Sequence, residues 1–170
     1  MGQAMTKPAA TSAAGERQYV TLGIEREVFA VPVESVLEIL DMRRVCRIPE
    51  APPYMLGLLD LRGRSVPVLD LRVKLGLPPQ SATDTTRILV VEVIINGRPL
   101  FLGLVADRVI EVLAMSSGEI EPPPEIGVRW RSEYIRGVGH RGESFIIIFD
   151  LPRLFSTEDA AALQTSAGRL

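Results

Sequence analysis

The feature that most constrains this chain is that it says the same thing twice. Residues 54–75 read YMLGLLDLRGRSVPVLDLRVKL, and residues 134–155 read YIRGVGHRGESFIIIFDLPRLF. Tyr54 and Gly57 match Tyr134 and Gly137, Gly63 matches Gly142, Ser65 matches Ser144, and Asp70-Leu71 matches Asp150-Leu151 after a one-residue insertion. Upstream of each copy lies a second matching pair. FAVPVESVLEI at 29–39 resembles FLGLVADRVIEV at 101–112, and both close on Val-x-Glu followed by Ile or Val. Pro49, Pro52 and Pro53 separate the paired segments in the first half, and Pro122, Pro123 and Pro124 do so in the second. Matches kept in one order along the chain indicate a degenerate tandem duplication, one strand-rich unit used twice.

Within each copy the apolar residues alternate, as at Leu59, Leu61, Val66 and Val68, which is the pattern of strands with one buried face. Arg62-Gly63-Arg64 sits between the two runs of the first copy, and glycine permits the left-handed backbone that a tight hairpin needs. The second run ends at Asp70, whose carboxylate is placed to cap a short helix over 71–75; Gly76 and Pro78-Pro79 then stop it. Asp150 holds the same place before a helical turn over 151–155. Gly57, Gly63, Gly137 and Gly142 are read as backbone-geometry residues at hairpins. Asp70 and Asp150 are read as structural caps, because carboxylates repeated in two separate units do not form one acid–base pair.

The remainder of the chain is also strand-rich. An N-terminal hairpin is expected from 18–24 and 27–33, turned at Glu25-Arg26. Residues 34–40 admit a short helix or a strand, and the β-branched content favours a strand. Thr86–Ile95 reads as a strand buried on both faces, turned by Asn96-Gly97, the strongest two-residue hairpin signal in the chain, into Arg98–Val105. Val109–Ala114 is expected to continue that sheet, and Ser116–Glu119 to start a helical turn. About ten short strands with little helix mean an all-β sandwich or a pair of barrels. The expected organisation is a disordered tail over 1–16, a domain over 17–156, and a short helix and tail over 157–170. Within the domain, 17–83 and 84–156 form two units whose strands can cross over.

The formal net charge of −2 argues against a general nucleic-acid binder, whose affinity comes from neutralising phosphates. Cys46 and His140 are the only cysteine and histidine, too few for a Cys/His zinc site. Cys46 is expected to be a small apolar filler and His140 an ordinary residue of a hairpin turn. No nucleophile elbow, phosphate-binding glycine loop or zinc-protease motif is present; no catalytic residue, metal or cofactor is assigned. The N-terminus has no signal-peptide core, and the longest apolar runs are too short to cross a bilayer as a helix. Two charges stand out. Glu38 interrupts Val36-Leu37 and Ile39-Leu40, and Arg62 follows the apolar run 58–61. They can form an ion pair tying two strands, a polar rim of a partner-binding surface, or both. A second reading takes Trp130, flanked by Arg129 and Arg131, as a stacking site in a ligand- or nucleic-acid-binding barrel.

The segment 56–72, with its Leu-Gly, Leu-Arg-Gly and Pro-Val-Leu-Asp-Leu-Arg elements, resembles the CheW-like family, the coupling proteins of bacterial chemosensory arrays. Supporting matches are Phe29–Ile39, Gly103–Val109 and Glu133–Gly139, and the resemblance spans about 17–163. Where the family often has Asn before Leu-Arg-Gly, this chain has Asp60. The resemblance implies two five-stranded SH3-like barrels related by a pseudo-twofold over a shared apolar core, without catalysis. It implies an adaptor, in the cytoplasm at the inner face of the membrane but not inserted in it, joining the tip of a chemoreceptor to the regulatory domain of the histidine kinase CheA; self-association in array rings is a further implication. It places the receptor in a groove between the barrels, with Val36, Glu38 and Arg62 on one side and Val105 and Val109 on the side of the second barrel.

Overall fold

The computed structural model describes residues 15–123 and 134–155. The expected tail over 1–16 falls almost wholly outside the described residues, as do Arg129, Trp130, Arg131 and the expected helix over 157–164.

Among the described residues eleven strands form two sheets, and a single-turn α-helix follows the last long strand of each repeat. Among the strands are β1 (Glu16–Ile24), β2 (Glu27–Pro32), β3 (Val36–Asp41), β4 (Met55–Leu61) and β5 (Arg64–Asp70), the last running into α1 (Leu71–Lys74). There follow β6 (Arg87–Ile95), β7 (Arg98–Ala106), β8 (Arg108–Ser116), β9 (Ile120–Glu121), β10 (Ile135–Arg141), β11 (Ser144–Phe149) and α2 (Leu151–Leu154). One sheet has the order β3-β6-β7-β5-β4, the other β8-β1-β2-β11-β10-β9. These sheets form the two SH3-like barrels, and apart from the two-residue β9 their orders correspond strand for strand.

The duplication seen in the sequence is therefore real in space, but the barrels do not coincide with the units 17–83 and 84–156. Residues 83 and 84 lie in the connection between β5 and β6, two strands of one sheet. Each repeat gives its first hairpin to the other's barrel. Hairpin β6–β7 joins β3, β4 and β5 through the parallel pair β5–β7, and hairpin β1–β2 joins β8, β10 and β11 through the parallel pair β2–β11. A short link follows each hairpin, Val33–Ser35 in one repeat and Asp107 in the other, and the next strand lies in the opposite sheet. Thus β8 does not continue the sheet of β7, as its sequence suggests, but pairs with β1.

Each barrel closes by the same device. Past β3 the chain returns at Cys46, whose N–H donates to the Leu58 carbonyl at 2.8 Å and whose carbonyl accepts from Leu58 N–H at 2.7 Å. Past β8 it returns as β9, which pairs with β10. Both returns need a missing side chain on the inner strand. A Cβ on Gly57 would stand 2.1 Å from the Cys46 carbonyl oxygen, and one on Gly137 would stand 2.9 Å from that of Glu121. Gly57 and Gly137 thus act in mid-strand, where the backbones approach, and not in the turns. The turns belong to Arg62-Gly63 and to Gly142; Arg62 and Gly63 have φ of 53° and 80°, as a two-residue hairpin requires. Cys46 is exposed, correcting its expected role as filler. His140 lies on β10 against Phe145, not in the turn.

The core has three parts. Leu40, Leu59, Val68, Ile88, Val90 and Val105 fill the five-stranded barrel, and Tyr19, Ala30, Met115, Ile146 and Ile148 fill the other. The largest part lies between the barrels and takes the opposite strand faces, among them Leu22, Leu89, Leu104 and Phe149. This explains strands such as β6 that are apolar on successive residues: one face fills a barrel while the other packs the shared seam.

Candidate functional site

The charges singled out in the sequence meet. β3 brings Glu38 and the β4–β5 turn brings Arg62 to one end of the five-stranded barrel, where Arg62 Nη2 lies 3.2 Å from Glu38 Oε1. The Arg62 side chain is 79% exposed, so the pair contributes little to stability and instead fixes a charge pattern on the surface. The turn is itself fastened: Asp60 Oδ1 accepts from Gly63 N–H at 3.0 Å, which gives the unexpected Asp60 a local role.

Beside the pair is a residue that the sequence reading passed over. In the β3–β6 ladder Val36 faces Val91 and Glu38 faces Val90, so Leu37 is the extra residue of a β-bulge. A bulge re-aims the side chain of its extra residue. Leu37 is turned to solvent and is 43% exposed, whereas its neighbour Val36 is buried in the shared core. An exposed leucine beside an exposed ion pair on a rigid strand is the local chemistry of a protein-docking surface: apolar contact for affinity, charge for register.

The other expected surface residues divide. Val105 belongs to the five-stranded barrel, not the second one, and is buried in that barrel's core. Val109 lies on β8 of the second barrel, half-buried against the shared core. An apolar groove of about 740 Å³ does run between the barrels, with Ile24, Phe29 and Phe149 along it and Glu25, Lys74 and Tyr134 also lining it. Neither Glu38 nor Arg62 lines that groove, contrary to the expectation that they edge it. Lys74 Nζ sits 4.5 Å from the Tyr54 ring centroid and 5.7 Å from that of Tyr134, joining the equivalent tyrosines of the two repeats through one cation.

A buried charge ties the barrels together. The Arg72 side chain, only 5% exposed, follows the Asp70 cap and reaches hairpin β1–β2 of the other barrel and the β7–β8 link that joins the two. Its Nη1 donates to Asp107 Oδ2 at 2.8 Å, its Nη2 to Glu25 Oε1, and its Nε to the Pro78 carbonyl at 3.0 Å. Asp107 Oδ2 also accepts from Glu25 N–H at 2.7 Å. Burial alone lowers the Arg72 pKa, but the carboxylates of Glu25 and Asp107 outweigh it and hold the guanidinium above its ordinary value. The burial of Arg72 makes it a fixed join between the barrels.

The caps have the expected geometry. Asp70 Oδ1 accepts from Arg72 N–H at 2.9 Å and Asp150 Oδ1 from Arg153 N–H at 3.2 Å. Desolvation raises the Asp70 pKa, against the lowering effect of its backbone hydrogen bonds to Arg72 and Val73. Asp70 and Asp150 cap helices that follow different barrels and share no cleft. Among the described residues no group of His, Cys, Asp and Glu could hold a metal ion, and no helix is long and apolar enough to cross a membrane.

Comparison with known proteins agrees with this architecture. Residues 18–159 match the CheW-like domain. The chain belongs to the CheW-like domain family. Its relatives include the chemotaxis protein CheW of Klebsiella aerogenes, 32% identical over 151 residues with 89% of each chain covered. A probable chemotaxis protein CheW of Rhizobium etli is 34% identical, covering 87% of this chain and 94% of its own. The crystal structure of the scaffolding protein TtCheW from Thermoanaerobacter tengcongensis superposes with a TM-score of 0.74 at 29% identity, over 84% of this chain and 94% of that one. The CheW-like assignment sets the exchanged barrels and the Leu37–Glu38–Arg62 surface within a family whose relatives are named for chemotaxis and scaffolding.

Proposed function

We propose that this CheW-like protein is a non-catalytic adaptor that couples the cytoplasmic tip of a chemoreceptor to the regulatory domain of the histidine kinase CheA in a chemosensory array. It works in the cytoplasm, held at the inner face of the membrane by the receptor. The observation that carries the reading is the surface of Leu37, Glu38 and Arg62: an aliphatic side chain turned outward by a bulge, next to an exposed ion pair, on a barrel locked to its neighbour. A receptor tip is helical, and an amphipathic helix needs apolar contact plus a few charges for register. Signal passes as a small rigid-body shift, for which two barrels joined by one shared core are suited.

The test is Arg62→Glu in an array reconstituted from receptor, kinase and this protein. Receptor control of the kinase is expected to be lost while the melting temperature stays within about 2 °C of wild type, since surface changes shift stability little. Normal coupling by the variant would remove Arg62 from the site.

A further inference from the structure

The repeat runs straight through the surface just described. Val36-Leu37-Glu38 on β3 corresponds to Val109-Ile110-Glu111 on β8, and Arg62, which precedes Gly63, corresponds to Arg141, which precedes Gly142. The correspondence extends to structure. β3 and β8 hold the same end position in their sheets. In the β1–β8 ladder Thr21 faces Glu111 and Leu22 faces Val109, so Ile110 is the extra residue of a bulge, as Leu37 is on β3. Ile110 is 42% exposed against 43% for Leu37. Arg141 Nη1 pairs with Glu111 Oε1, as Arg62 pairs with Glu38. The second bulge is also pinned from beneath: buried Thr21 donates through its hydroxyl to the Glu111 carbonyl at 2.9 Å and accepts from Glu111 N–H at 3.1 Å.

A bulge that turns a branched aliphatic residue to water forgoes the burial that residue would otherwise supply. Here that happens twice, at equivalent positions, each time beside a Glu–Arg pair. We propose that Ile110, Glu111 and Arg141 form a second docking surface for an amphipathic helix, whose apolar stripe covers Ile110 and whose flanking cation and carboxylate meet Glu111 and Arg141. A helix fits better than an added strand, because the bulge interrupts the regular backbone edge that strand addition needs. The inference rests on the reading of Leu37, Glu38 and Arg62 as a helix-docking surface.

The experiment titrates a soluble helical-hairpin fragment of a receptor tip against wild type, Glu38→Arg and Glu111→Arg, following heat. Glu111→Arg is expected to weaken binding by about tenfold or more, the scale of a well-placed interface residue. Binding unchanged in Glu111→Arg but weakened in Glu38→Arg would overturn this inference and leave the first surface standing. The reverse result would remove the first surface and leave the second. A double variant, Glu111→Arg with Arg141→Glu, rebuilds the ion pair in the opposite sense. If binding stays weak in it, the helix reads the charges directly; if binding returns, Glu111 acts only through its ion pair, and the proposed recognition is wrong.

Discussion

Replacing Arg72 by Ala removes a buried cation that spans the two barrels, and its cost follows from what the three hydrogen bonds leave behind. Breaking a fully buried ion pair from one side costs about 3–5 kcal/mol, because the stranded charge has no partner. Here the stranded carboxylates are less exposed to that penalty. Glu25 is 44% exposed and regains water, and Asp107 keeps the Glu25 N–H at 2.7 Å. The Pro78 carbonyl loses the Nε–H donor. The expected cost is therefore about 2–3 kcal/mol, allowing for solvent screening of Glu25. In a chain of this length that is roughly a 5–10 °C fall in melting temperature. Arg72→Met keeps most of the buried stem and is expected to lose less than Arg72→Ala, while Arg72→Lys, a single-point donor, recovers only part of the network. Thermal and urea unfolding of the three variants measure this directly. If Arg72→Ala melts within 2 °C of wild type, the guanidinium is not what joins the barrels.

Gly57→Ala forces a Cβ to within 2.1 Å of the Cys46 carbonyl at a φ of 152°, so both closing hydrogen bonds and the backbone geometry suffer; the expected cost is about 3–5 kcal/mol by urea unfolding. Gly137→Ala meets the γ2 methyl of Ile120 at 2.5 Å and the Glu121 carbonyl at 2.9 Å but, unlike Gly57, has no positive φ; it should cost less, about 1–3 kcal/mol, and equal costs would refute the assigned difference. Asp70→Ala is expected to lose about 1 kcal/mol of capping energy, which Asp70→Asn retains. Because burial raises the Asp70 pKa above its ordinary 3.8, the folded state holds that proton more tightly than the unfolded one. The resulting contribution is full below 3.8 and is lost as pH rises through the folded value. Asp70→Asn should therefore gain stability relative to wild type as pH climbs above 3.8, and a constant difference from pH 3 to 7 would count against the shift.

What could be read from the sequence was what depends on neighbouring residues. Asn96-Gly97 and Arg62-Gly63 announce their turns because their positive φ values, 52° and 76° for the first pair, are matters of local sterics. Asp70 and Asp150 announce their caps for a similar reason. The exchange of hairpins was not legible, because it is decided by the parallel pairs β5–β7 and β2–β11, which join segments far apart in the chain. Val105 was misplaced for that reason: its strand lies in the second repeat but its side chain fills the five-stranded barrel. Leu37 and Ile110 were hidden as well, since a bulge is a property of two strands in register and neither strand alone declares it. A signal was nonetheless present. Aligning the repeats puts Leu37 on Ile110 and Arg62 on Arg141, and that coincidence could have marked both.

The handover of hairpins also has a consequence for origins. A free chain carrying one repeat would hold two strands that fit only a neighbour's barrel, and would lack the two that complete its own. Such a half-length ancestor could reach a closed fold only as a pair of identical molecules trading arms. Joining such a couple in one polypeptide frees its two halves to differ, and here Thr21 braces one bulge where Val90 faces the other.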